Sequence, residues 1–187
     1  MRTLPISIYY AKQVNDEKAT REEAIKDIPL VSALTHNHLR ACIACGLYFF
    51  CVSEIMYSEG DLMTRLQTAM DAGFSFYEKS EETRAELSYY DAFLNLEDFA
   101  KRPEQQIRST GYVVDSLEAA IWSLINTDSY RDAMIKAVNL GDDTDTIAAI
   151  AGGLAGIYYG YDAIPEEWLT VLRKREWIEK MCNSAVI

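Results

Sequence analysis

Residues 143–160 read Asp-Thr-Asp-Thr-Ile-Ala-Ala-Ile-Ala-Gly-Gly-Leu-Ala-Gly-Ile-Tyr-Tyr-Gly, and no other stretch constrains the fold as tightly. Ile147, Ile150, Leu154 and Ile157 recur at helical spacing, while Ala and Gly fill the other faces. Gly152 and Gly153 each cost a helix about 1 kcal/mol relative to Ala. A helix that is small and apolar all round is predicted to be buried all round, with neighbours at close backbone approach. The segment is therefore expected to be the central helix of an all-α domain.

The rest of the chain agrees with that class. Leu62, Leu66, Met70 and Phe74 form one helical stripe behind Asp61. Ser80 is a candidate cap for a short helix, and Pro103 marks a stop. A turn at Ser109-Thr110-Gly111-Tyr112 precedes another stripe, Leu117, Ala120, Ile121 and Leu124. A helix opening near Asp128 is closed by Gly141, and residues 165–181 read as a pair of outer helices. Only 9 Gly and 4 Pro in 187 residues argue against a many-turned all-β fold. Residues 1–187 are expected to form a single compact multi-helix domain.

A formal net charge of −11 excludes a simple basic nucleic-acid binder and a polybasic membrane-surface protein. The longest apolar candidate, residues 41–55, is interrupted by Ser53 and Glu54, so neither a membrane nor a nucleic acid is expected as a partner. Cys42, Cys45 and Cys51 lie within ten residues on an apolar segment. The Cys42–Cys45 spacing has no second pair to complete a metal site, and buried thiols in a reducing, cytoplasmic setting are the expectation.

The strongest chemical signal is Gly141-Asp142-Asp143-Thr144-Asp145-Thr146. Residues two apart in mid-helix point about 200° away from each other, so Asp143 and Asp145 can share a ligand only at a helix start. There, two carboxylates and the Thr146 hydroxyl make a hard oxygen site of the type Mg²⁺ prefers. The alternative is that the acids only cap the helix and complement its dipole. An EF-hand loop fails because Ile147, Ala148 and Leu154 stand where ligands or Gly belong. A phosphatase-type motif fails because no hydrophobic strand precedes it. An unrelated all-α magnesium enzyme acting on diphosphates survives on fold class, but shows no second metal motif.

Residues 141–152 closely resemble the C-terminal signature of the ADP-ribosylglycohydrolase family. Ser109-Thr-Gly-Tyr-Val-Val-Asp-Ser-Leu-Glu-Ala-Ala-Ile-Trp122 and Leu34-Thr35-His36 resemble further family segments, in the same order. Met1-Arg2, followed by Leu4-Pro5, resembles the end of the family's Asn-Gly-Ser-x-Met-Arg loop. The resemblance implies an all-α domain of that type, lacking its N-terminal helices. It implies hydrolysis of the bond joining ADP-ribose to a modified protein or small molecule, with two Mg²⁺ ions (or Mn²⁺) in the family's cleft. Residue by residue, it implies Asp143, Asp145 and Thr146 as metal ligands, the two aspartates being the catalytic pair. It implies His36, Ser109, Thr110, Gly111 and Tyr112 as contacts to ADP-ribose.

The family's upstream Thr-Asp-Asp ligands, early Gly-Asp motif and catalytic acid have no match here. A weak, partial metal site follows, with hydrolysis expected only when an upstream portion is supplied. The competing expectation is an inactive module that holds ADP-ribose or a partner. Apolar faces left by missing helices would be covered by a homo-oligomer or by the upstream fragment.

Overall fold

Large apolar side chains are densest between residues 39 and 57, and this stretch forms the helix around which the others are arranged. The structure, a computed structural model, describes residues 3–185. Helices run in the order α1 (Leu4–Asn15), α2 (Arg21–Ala33), α3 (Leu39–Tyr57), α4 (Leu62–Tyr77) and α5 (Glu81–Leu87). A 3₁₀ segment (Ser88–Leu94) leads to α6 (Leu96–Ala100), α7 (Val113–Ile125), α8 (Tyr130–Asn139) and α9 (Thr144–Tyr159). The short α10 (Glu166–Val171) and α11 (Arg175–Ser184) follow. No strand occurs among the described residues, so the all-α expectation holds.

Local chemistry sets the ends of these helices. Asp61 caps α4 by accepting the Thr64 amide at 2.8 Å. Thr20 and Glu23 form a reciprocal capping box at α2. At α8 the Ser129 hydroxyl accepts the Asp132 amide at 3.0 Å.

α3 is buried on every face from Ala41 to Ile55, against α1, α2, α4, α7 and α9. It is long and apolar enough to cross a membrane, but most of its surface is spent on the core. Phe49, Phe50 and Leu47 are fully buried there. Cys45 and Cys51 are buried on the same helix, and Cys42 is partly so.

The expectation that α9 is the central helix is corrected by these contacts. α9 packs on α8, α7 and α3 through Ile147, Ile150, Ala151, Leu154 and Ala155. Ala149 is exposed, and a Cβ added at Gly156 would meet nothing within 4 Å. Close approach is confined to the faces at Gly152 and Gly153, and a Cβ at Gly152 would stand 3.0 Å from the Met134 sulfur of α8. A Cβ at Gly153 would stand 2.5 Å from the Tyr48 hydroxyl, which donates to the Ile150 carbonyl at 3.2 Å. Small residues thus let α3 and α1 come near at Gly153, and no element covers the face of Ala149 and Gly156 among the described residues.

The final helices lie outside the core, as expected. Leu169 is the buried residue of α10, and α11 has none. Ion pairs hold them: Arg131 with Glu167, and Arg175 with Glu166 and Glu179.

Candidate functional site

Gly141 and Asp142 both have positive φ, 88° and 51°, so the chain reverses sharply between α8 and α9. The reversal delivers Asp143 to the start of α9, where its side chain makes no capping bond. Its amide donates instead to the Ser109 carbonyl at 3.0 Å. The Ser109 hydroxyl donates to the Leu140 carbonyl at 3.2 Å. The turn before α7 and the turn before α9 are therefore tied to each other.

The first of these turns is braced internally. The Thr110 hydroxyl donates to Asp115 at 2.6 Å and accepts the Tyr112 amide at 3.1 Å. Asp115 is buried and also pairs with Arg108 at 3.2 Å. The Ser116 hydroxyl is within 2.9 Å of the Thr110 carbonyl and 3.1 Å of the Tyr112 carbonyl. Gly111 then comes so near α9 that an added Cβ would stand 3.1 Å from Asp143 Oδ2.

A cleft of about 540 Å³ opens beside this junction, within the range of small-molecule sites. Gly111, Tyr112, Asp143 and Thr146 line it from the α7 and α9 side, and His36, His38 and Arg40 from the α2–α3 connection. The buried Thr3 and Cys45 also line it. Of the residues singled out from the sequence, His36, Gly111, Tyr112, Asp143 and Thr146 meet here. Ser109 and Thr110 do not line the cleft; they brace the turn that does. Asp145 is exposed and turned back on its own helix, accepting the Thr146 amide at 2.9 Å. Met1 and Arg2, part of the loop resemblance, lie outside the described residues.

His38, Arg40, Thr3 and Ser32 line the cleft without having been singled out, and Cys45, read from the sequence as a buried thiol, lines it too. His38 is exposed, caps α3 by accepting the Arg40 amide at 3.2 Å, and shares the rim with His36. His36 Nδ1 lies 2.9 Å from the Thr35 hydroxyl. A charged residue at position 40, heading an apolar helix, was the one available signal for Arg40.

The donor chemistry suits a hard divalent cation, since Asp143 and Thr146 present oxygens to the cleft. Their number does not complete a site: no group of three or more His, Cys, Asp or Glu able to hold a metal occurs among the described residues. Burial pushes the Cys45 and Cys42 thiols up, which keeps them protonated and poor nucleophiles. Burial also pushes the Glu118 carboxyl of α7 up to about 7, against the pull of Arg102.

Comparison with known proteins places these features in a family. The family model described as ADP-ribosylglycohydrolase matches residues 1–187. An ADP-ribosylarginine hydrolase, Tri1, of Pseudomonas putida (strain GB-1) is 43% identical over 157 residues, 82% of this chain and 37% of that protein. Tri1 of Serratia proteamaculans (strain 568) is 46% identical over 91 residues, 49% of this chain and 25% of its own length. An ADP-ribosyl-[dinitrogen reductase] glycohydrolase of Rhodospirillum rubrum is 42% identical over 65 residues, 35% of this chain and 22% of that protein. This chain therefore spans well under half the length of these relatives. With the matched model running its whole length, the chain belongs to the ADP-ribosylglycohydrolase family.

Proposed function

We propose that this chain supplies the ligand cleft of a hydrolase that releases ADP-ribose from modified proteins or small molecules. One observation carries the reading. The free carboxylate of Asp143 and the hydroxyl of Thr146 line the same cleft as the Gly111–Tyr112 turn, held there by the Ser109–Asp143 hydrogen bond. The similar Tri1 proteins are named as acting on ADP-ribosylarginine, which makes that linkage the first to assay.

In this proposal Asp143 and Thr146 are this chain's donors to Mg²⁺ or Mn²⁺, with Asp145 joining after a change of rotamer. Water and a segment outside this chain supply the rest. A bound divalent ion would polarise ribose hydroxyls and an attacking water. The chain's own residues do the positioning. Gly111 lets the backbone approach the ligand, Tyr112 offers a ring face and a hydroxyl, and His36 and His38 stand at the opposite rim. Ser109 and Thr110 act indirectly, by fixing the turn.

A binding module without turnover is the second reading, favoured by the outward-turned Asp145 and the incomplete donor set. Release of ADP-ribose from ADP-ribosyl-arginine and ADP-ribosyl-serine peptides separates the two. The assay uses Mg²⁺, with this chain alone and with a relative's upstream Thr-Asp-Asp segment added. Turnover in the combined sample supports the hydrolase. Calorimetric binding of ADP-ribose with no turnover in either sample supports the module, and absence of both rejects the cleft assignment.

A further inference from the structure

Arg40 lines the cleft, yet nothing in the proposed chemistry uses it. It sits in the first turn of α3, where a cation opposes the helix dipole by about 0.3–1 kcal/mol, so the helix itself does not favour it. Its partners come from separate stretches of chain. Nε donates to Glu86 Oε2 at 2.6 Å, and Nη1 donates to the Tyr112 hydroxyl at 2.7 Å. The guanidinium carbon lies 3.3 Å from the centre of the Tyr89 ring and 5.9 Å from that of Tyr112. The Arg40 carbonyl accepts the Tyr90 hydroxyl at 2.7 Å, which fixes the backbone beneath the side chain.

The exposures divide this group in two. The Arg40 and Glu86 side chains are 18% and 22% exposed, whereas Tyr89 and Tyr112 remain 49% and 38% exposed. The ion pair is the shielded frame, and the rings are what it presents. A planar fork serves Glu86 and Tyr112 in fixed directions while stacking on Tyr89; a lysine ammonium on a flexible stem has neither the fixed directions nor the flat face. Because the Tyr112 oxygen accepts from Arg40, its own proton stays available for an acceptor in the cleft.

We infer that Arg40 is a positioning residue: braced by Glu86 and stacked on Tyr89, it sets the ring and hydroxyl of Tyr112 for the nucleotide end of the substrate. A mere tie between α3 and α5 would need the Glu86 contact alone. The inference rests on the ADP-ribosyl reading of the cleft for its ligand, but not for the bracket itself.

The test compares the wild-type chain with R40K, Y112F and R40K/Y112F. ADP-ribose and AMP are titrated by calorimetry, and fluorine spectra of 3-fluorotyrosine-labelled protein are recorded without ligand. R40K keeps the charge and can keep the Glu86 pair, and near-ultraviolet dichroism checks that it folds. R40K and Y112F should each weaken both ligands about five- to tenfold, the worth of one good hydrogen bond, and the double variant no further than R40K. R40K should also move the Tyr112 fluorine resonance, which is the signal missing from labelled Y112F. Additive losses, or a Tyr112 resonance unmoved in R40K, would overturn the positioning role. A loss for ADP-ribose but not for AMP would overturn the assignment to the nucleotide end. If wild type binds neither ligand, the ADP-ribosyl reading fails and takes the ligand assignment with it, while the fluorine spectra still judge the bracket.

Discussion

α3 and α9 are both apolar through most of their length, and they achieve burial by opposite means. α3 surrounds itself with Phe49, Phe50 and Leu47, and its neighbours pack on those large side chains. α9 presents Ala and Gly, so its neighbours come to its backbone: Tyr48 and Leu4 fill the space at Gly153, and Met134 that at Gly152. The first is secured by area, the second by proximity. Proximity works only on a side where a neighbour exists, and α9 has one on three sides but not at Ala149 and Gly156.

The contrast can be broken most forcefully at Phe49. Phe49→Ala should cost about 3–5 kcal/mol in urea unfolding, because the side chain is fully buried. A loss below about 1 kcal/mol would mean α3 is not the core. Gly153→Ala should cost about 1–3 kcal/mol, since the new methyl displaces the Tyr48 hydroxyl from the Ile150 carbonyl. Thermal melts would show it, and an unchanged midpoint would deny the close approach.

α7, which packs on both helices, adds an electrostatic test through Glu118. A carboxyl whose folded value is raised to about 7 lends stability that is complete below its ordinary value near 4.5 and is lost as pH rises through 7. The difference in stability between wild type and E118Q should therefore change by about 1–2 kcal/mol in that window, wild type losing ground as pH rises. A pH-independent difference would contradict the half-buried setting of Glu118.

Gly156→Ala should do the reverse of its neighbour three residues away. With open space around the new methyl, helix propensity alone acts, raising stability by about 0.5–1 kcal/mol. Destabilisation there would reveal a covering element over that face. Asp143→Ala should have the smallest effect on stability, within about 0.5 kcal/mol, because the carboxylate caps nothing. Its effect should appear instead as loss of ADP-ribose binding by calorimetry, and retained affinity would remove Asp143 from the site.

Periodicity and turn chemistry made most of the fold legible. The stripe at Leu62–Phe74, the cap at Asp61 and the turn at Ser109–Tyr112 stand where the residues place them. What periodicity reports is which faces avoid water, not which neighbours are present, and this is why α9 reads as central when α3 is. The site divides in the same way. Asp143, Thr146, Gly111 and Tyr112 were readable because they sit in two contiguous motifs. Arg40 was not, because its meaning lies in Tyr112, 72 positions away, and nothing local signals that pairing. Asp145, Ser109 and Thr110 show the complementary limit: a motif names residues that travel together, while single rotamers decide which of them face the cleft.

The bond from the Asp143 amide to the Ser109 carbonyl has a consequence for how this molecule tolerates change. It pinches α7 and α8 into a closed excursion whose two ends are clasped beside the cleft. The far tip of that excursion, at the exposed Asp128, lies where added or altered residues leave the clasp undisturbed. Variation in length, a graft or a nick is therefore best accommodated at that tip, while the knot at its base keeps the two walls in register.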